Sequence, residues 1–242
     1  MTRCRSVVKA ADKLKKRLVL DQTVFYPQSG GQQSDVGFLH GLSKLQVTAV
    51  KKDPSDGQVW HYVSGDVEEE KWLDAEVECE IDENVRMLNS RSHSAGHALD
   101  HAAEDLNLPV EVRGACHFLP YPYVEYEYAD ANQIPANKEA IEKLQKDLEE
   151  AANRIISANI EVTVYTGKVS ELSEWRQALL PEPVLREGTV RLIKFCAPQY
   201  HPVPCSGTHV RNSSQIKPIK VRKISQPDKT RPGFIRVSYL LQ

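Results

Sequence analysis

Long apolar runs, paired cysteines and Walker-type phosphate loops are all missing from this 242-residue chain. No uninterrupted hydrophobic stretch approaches the roughly 20 residues that a membrane-spanning helix needs, so a soluble protein with no membrane partner is expected. Cysteine is sparse: Cys4, Cys79, Cys116, Cys196 and Cys205 are an odd number, widely spaced and without a CxxC pair. That argues against a disulfide framework and for a reducing compartment, with the cytoplasm the simplest location. A secretory signal is also lacking, because Val7, Val8, Ala10 and Ala11 are interleaved with Lys and Asp rather than forming a continuous apolar core. An organelle transit peptide stays open as an alternative, although the strand-like Leu18-Val19-Leu20 follows at once. Without a GxxxxGK[ST] loop there is no sign of a nucleotide-activating domain of that type, and 242 residues leave no room for a full synthetase.

What is present is an ordinary globular composition, 40% hydrophobic and 26% charged, enough for one large domain or two of usual size. The net charge of −2 hides a segregation. Residues 1–17 carry seven basic side chains against Asp12, and residues 210–242 carry eight against Asp228. The middle is correspondingly acidic, which is compatible with a polyanion meeting the chain ends or with plain solvated surface.

Short strands separated by turn signals fill the first 85 residues: 17–20, 37–39, 45–50, 58–63 and 75–81, punctuated by Pro27, Gly30-Gly31, Pro54 to Gly57 and Gly65-Asp66. This reads as a small barrel or sandwich. A helical period then runs from near Asn84 to Leu106, and the domain boundary is placed at its start. Downstream, 117–128 reads as strand-rich, 138–157 as a strong amphipathic helix, 160–165 as a strand, 169–179 as a helix, and 190–195, 217–221 and 234–241 as strands. No strict βα alternation occurs, so the second part is α+β.

His93-Ser-Ala-Gly-His97 places two imidazoles one turn apart on a single helical face, where they can share a metal. His101 extends the series by a turn and reads as a packing or surface residue, with substitution as a ligand left open. Far downstream, Cys205-Ser-Gly-Thr-His209 offers a thiolate and a third imidazole. Three His and one Cys make a chemically sensible tetrahedral zinc set. A zincin protease is excluded in detail, since the general-base glutamate after the first histidine is replaced by Ser94.

Taken together, His93xxxHis97 and Cys205-Ser-Gly-Thr-His209 resemble the alanyl-tRNA editing family: the free-standing AlaX proteins and the editing, or second additional, domain of alanyl-tRNA synthetase. Leu20 to Asp35 (LDQTVFYPQSGGQQSD) looks like the family's N-terminal glycine-rich loop, and Cys116-His-Phe-Leu-Pro, Pro122-Tyr-Val-Glu-Tyr126 and Thr208 to Ile216 extend the match to about residues 7–240. Ser29 and Ser206 replace family glycines and Gln28 stands where an acid is common, which touches substrate preference but not the ligands.

The resemblance implies an α+β protein, with a small β-barrel over residues 1–85 and a zinc-bearing α+β editing domain with antiparallel sheet over residues 86–242. It implies one Zn2+ per chain on His93, His97, Cys205 and His209. The implied reaction is trans-editing: zinc-dependent hydrolysis of the ester that joins serine, or glycine, to the acceptor end of tRNA(Ala). Such correction is needed because an alanine pocket cannot fully reject a smaller residue or one that merely adds a hydroxyl. Thr23 is implied as the group that reads the serine hydroxyl, Gln32 as orienting water or substrate, and the Gly30-Gly31 backbone as the close approach to the terminal adenosine, alongside a tight-turn role. Competing readings are a tRNA-binding or synthetase-associated module with structural zinc, and a small-molecule ester or peptide hydrolase.

Overall fold

The computed structural model describes residues 2–172, 174–177, 180, 182–226 and 230–242. Backbone contacts divide it into two compact units, one through Asn89 and one from Ser90 to Gln242.

In the first unit β1 (Arg3–Asp12), β2 (Arg17–Leu20), β3 (Gly37–His40), β4 (Lys44–Lys52), β5 (Val59–Ser64) and β6 (Glu76–Ile81) close into an antiparallel barrel, with the one-turn helix α1 (Glu69–Trp72) before β6. The order round the barrel is β1-β2-β5-β4-β3-β6. Strand β4 shows how the pattern works: Leu45 and Val47 face inward between exposed Lys44, Gln46 and Thr48. A bulge between Val47 and Ala49 then resets the parity so that Val50 also faces inward. Val8, Leu18, Leu39, Val47, Val50 and Cys79 form the fully buried centre of this core.

Strand β1 is the element that alternation alone does not show. Its buried residues include a serine, Ser6, and its outward positions are cationic, so it reads as a charged tail. It becomes a strand because β2 and β6 pair with it on both edges.

Helix α2 (Glu83–Asp105) leads into the second unit, followed by β7 (Val110–Cys116), β8 (Tyr123–Tyr128), α3 (Lys138–Ser157), β9 (Val162–Lys168), the short α4 (Glu174–Gln177) and α5 (Glu182–Glu187), β10 (Thr189–Phe195), β11 (Val203–Pro204), β12 (Ile219–Ser225) and β13 (Phe234–Leu241). Two antiparallel sheets result, ordered β12-β13-β8-β7 and β11-β10-β9. The protein is thus α+β, with an antiparallel barrel and further antiparallel sheets. Two sequence expectations shift. The strand expected over 117–128 begins only at Tyr123, since Pro120 and Pro122 cannot donate to a ladder, and its partner is the unforeseen β7. The helix expected over 169–179 is a 3₁₀ turn, Val169–Glu171, followed by α4; Leu179 lies outside the described residues.

Helix α3 keeps its expected span and face. Asn137 caps it by accepting from the Ala140 amide at 2.8 Å, and Leu144, Leu148, Ala151, Ala152 and Ile155 are buried. The same helix solves an edge problem. Strand β12 ends its sheet, and an open edge exposes unpaired backbone groups. Gln145 donates to Val221 O at 2.8 Å, Glu149 accepts from Val221 N at 2.8 Å, and Asn153 both donates to Ile219 O and accepts from Ile219 N at 2.9 Å. Among the described residues no helix is long and apolar enough to cross a membrane.

Asn153→Ala removes two of these partners at once and is expected to cost about 1–3 kcal/mol. Exposed Lys143→Ala, which breaks only the surface pair with Asp147, is expected to cost well under about 1 kcal/mol. Urea midpoints of the two variants check the difference, and equal midpoints would disprove the capping role.

Candidate metal centre

From Ser92 to Leu99 every residue of α2 is buried, so the helix is enclosed all round rather than amphipathic. Such a segment must be narrow and must satisfy its polar groups. Ser92 Oγ donates to His117 O at 2.9 Å, Ser94 Oγ accepts from Val210 N at 3.1 Å, and Ser90 Oγ lies 2.7 Å from Thr208 Oγ1. The last two bonds tie the Cys205–His209 loop to the helix. Gly96 leaves room for a ring: a Cβ there would fall 2.4 Å from His117 Cε1.

The loop brings its donors onto the helix. Cys205 Sγ lies 3.2 Å from His93 Nε2 and 3.5 Å from His209 Nε2, and it accepts from Gly207 N at 3.4 Å. One donor atom from each of His93, His97, Cys205 and His209 falls within 4.8 Å of every other, so the group could hold a metal ion. A tetrahedral zinc with bonds of about 2.0–2.3 Å separates its ligands by roughly 3.3–3.7 Å, so only small adjustments are needed. The residues also ask for a cation: His97 Nε2 is buried without a hydrogen-bond partner among the described residues.

Charge within the cluster agrees. Burial pushes His93 and His209 well below the ordinary imidazole range, helped by neighbouring imidazoles. At His97 burial acts in the same direction, but Asp100 and the Cys205 sulfur outweigh it and push the group up to about 10. Burial likewise raises the Cys205 thiol, and His97 more than reverses this, holding it below its usual value. His93 and His209 are thus held neutral, the state in which an imidazole binds metal, whereas His97 stands as an imidazolium beside the Cys205 thiolate and gives up its proton when a metal ion replaces that charge.

Four supporting residues, Asp100, Tyr126, His117 and Tyr239, received no role from the sequence reading. Asp100 Oδ2 stands 3.6 Å from His97 Nδ1 while its Oδ1 accepts from Tyr126 at 3.0 Å, the carboxylate support typical behind a ligating histidine. His117 stacks on His93 at 4.2 Å, its Nδ1 2.9 Å from the Tyr239 hydroxyl, which donates to Ser92 O. Only the Cys116-His-Phe-Leu-Pro match pointed to it, without a role. His101 stands outside the cluster, stacked on Tyr200 at 4.3 Å with Nδ1 2.9 Å from Glu104.

Thr23, Gly30, Gly31 and Gln32 belong to the barrel unit. Gly30 and Gly31, at φ 54° and 70°, are the centre of a tight turn in which Gln32 N donates to Ser29 O at 2.8 Å. Tyr26 closes over the turn with its hydroxyl 2.6 Å from Ser29 Oγ. Asp35, paired with Arg86, accepts from Tyr26 N at 2.6 Å and fixes the base of the loop. Gln32 is buried, whereas Thr23 is half-buried, with Oγ1 2.8 Å from His61 Nε2. The basic N-terminus is divided: Arg3 pairs with Glu78 and Glu80, Lys9 with Asp74, and Arg17 is buried against Asp12 and Asp53, while Arg5, Lys13, Lys15 and Lys16 are exposed with no ion pair among the described residues.

Comparison with known proteins places this geometry among relatives. A family model described as tRNA synthetases class II (A) matches residues 2–85. The chain is 31% identical over 229 residues to an alanine–tRNA ligase of Methanobrevibacter smithii, covering 93% of this chain and 24% of the ligase. It is 30% identical over 209 residues to the alanyl-tRNA editing protein AlaX-M of Pyrococcus horikoshii, covering 86% of this chain and 80% of that protein. The AlaX-M protein of Methanosarcina mazei is 28% identical over 223 residues, covering 89% and 84%. The chain thus spans about a quarter of the ligase it matches and more than three quarters of each AlaX-M protein.

Replacing both loop donors, Cys205→Ala with His209→Ala, is expected to abolish stoichiometric metal binding while the barrel stays folded. Elemental analysis of the purified variant checks this; full metal content would refute the ligand assignment.

Proposed function

Because the chain belongs to the alanyl-tRNA editing family, we propose that it is a trans-editing deacylase that hydrolyses the ester linking serine, and in second place glycine, to the 3′ end of tRNA(Ala). The observation that carries this reading is the cluster of buried His93 and His97 with half-buried Cys205 and His209, in a chain that matches an editing protein over most of both lengths.

Zinc is the metal that suits three imidazoles and a thiolate, and when bound there it supplies positive charge to position the aminoacyl end, polarise the ester or activate water. The protein's own groups divide the remaining work. Thr23 Oγ1 takes the serine hydroxyl, a contact that alanine's methyl cannot make. Gln32 orients water or substrate. Gly30 and Gly31, having no Cβ, let the backbone approach the terminal adenosine closely. Water adds to the ester carbonyl, and serine leaves with the tRNA 3′-terminal hydroxyl restored.

Affinity for the tRNA comes from phosphate contacts rather than base reading. The candidates are Arg5, Lys13, Lys15 and Lys16 of the barrel unit and Lys220, Arg222 and Lys223 on β12, all exposed and none in an ion pair among the described residues.

Seryl- and glycyl-tRNA(Ala) are expected to be deacylated well above the metal-stripped protein, and alanyl-tRNA(Ala) spared; no serine or glycine release above that control would sink the proposal. Thr23→Val keeps the shape but loses the hydroxyl, so the preference for seryl over alanyl ester is expected to fall by roughly tenfold. Unchanged selectivity in a competition assay would move the discriminator elsewhere.

A further inference from the structure

Inside the barrel unit, His61 on β5 is completely buried, paired across the sheet with Leu18 of β2. Its Nδ1 lies 3.2 Å from Leu18 O and its Nε2 2.8 Å from Thr23 Oγ1. The Phe25 ring meets it edge-on at 5.5 Å. A carbonyl oxygen can only accept, so Nδ1 carries the imidazole proton and Nε2 presents its lone pair. Burial, the largest influence on this group, pushes it down to about 4, so the ring is neutral at physiological pH. The Thr23 hydroxyl therefore donates its single proton to Nε2. It also accepts from Phe25 N at 3.1 Å. A hydroxyl has one proton and two lone pairs, and this accounting leaves Thr23 with one lone pair and no proton to offer.

We infer that His61 is a positioning residue for specificity: it turns the Thr23 hydroxyl into a pure hydrogen-bond acceptor, so that the site recognises an aminoacyl side chain able to donate. This rests on the editing reading above and deepens it. A serine hydroxyl can donate to the remaining lone pair; the methyl of alanine and the hydrogen of glycine cannot. A freely rotating threonine would accept or donate equally well and would have to be ordered at each encounter. One held from behind by a buried imidazole is already aligned, so less conformational freedom is lost on binding.

The test compares release of serine, glycine and alanine from tRNA(Ala) by the wild type, His61→Leu and His61→Gln. His61→Leu removes both ring nitrogens at similar bulk, and the seryl ester is expected to lose about 3- to 10-fold more in kcat/KM than the glycyl ester. His61→Gln, whose amide can donate to Leu18 O and accept from Thr23, is expected to restore much of the seryl-to-glycyl ratio. A role confined to folding would lower all three esters in parallel, and that outcome, or an unchanged ratio, overturns the inference. Nitrogen-15 NMR of the wild-type imidazoles decides independently of any variant. His61 is expected as the neutral Nδ1–H tautomer, and an Nε2–H form overturns the relay. Failure of the wild type to release serine from seryl-tRNA(Ala) would strike the proposed function instead, leaving the tautomer measurement to judge the relay.

Discussion

Bringing three imidazoles and a thiol together, two of them buried and two half-buried, is the constraint from which the rest of the second unit follows. Each polar group taken out of water must find a partner or raise the free energy of the fold. Here His97 Nε2 finds none among the described residues. An arrangement of this kind is stable when a cation completes it, which also explains its surroundings. Helix α2 is enclosed on every side, so its central turns are built from Ser, Ala and Gly around the histidines. The Cys205–His209 loop is held to that helix by hydroxyl bonds from Ser90 and Ser94, and Asp100 and Tyr126 stand behind His97.

The barrel contains the contrasting case. His61 is buried like His97, yet both of its nitrogens have partners whereas His97 Nε2 has none among the described residues. His101 is intermediate, with Nδ1 bonded to Glu104 and Nε2 lacking a partner, but it stands outside the donor cluster. Burial alone therefore does not mark a ligand. The distinguishing property is convergence with other donors. Charge follows a parallel logic: cations that looked alike in the sequence separate into ion-paired ones, such as Arg17, and ones without an ion pair among the described residues, such as Arg5 and Lys220.

Legibility in the sequence tracked how local each signal was. Helix α3 was readable because its apolar period lies within one segment. Strands β2 to β6 followed from alternation between turn residues. By contrast, β1 and β7 carry few large apolar side chains, so only their neighbours across the sheet make them strands. The bulge in β4 was equally hidden, since it records a mismatch between two strands rather than a property of one. In the site, ligand types and spacings were legible, because an i, i+4 pair of histidines on a helix shares a face by geometry. His117 and Asp100 were not, since a stacking partner 24 residues away along the chain, or a carboxylate whose value lies in where it points, leaves no local pattern.

The sequence by itself determined the element types with strong internal periods, the kinds of donor available for a metal, and the residues whose order resembles an editing family. The tertiary structure alone decided that four donors separated by up to 116 positions meet within a few ångströms, and that Gly96 is small so that His117 can lie against His93. It also decided the state of Thr23, whose side chain is an ordinary strand-forming residue on paper. A hydroxyl's direction is set by whichever acceptor the fold brings within about 2.8 Å of it. In this protein that acceptor is a histidine 38 residues further along the chain.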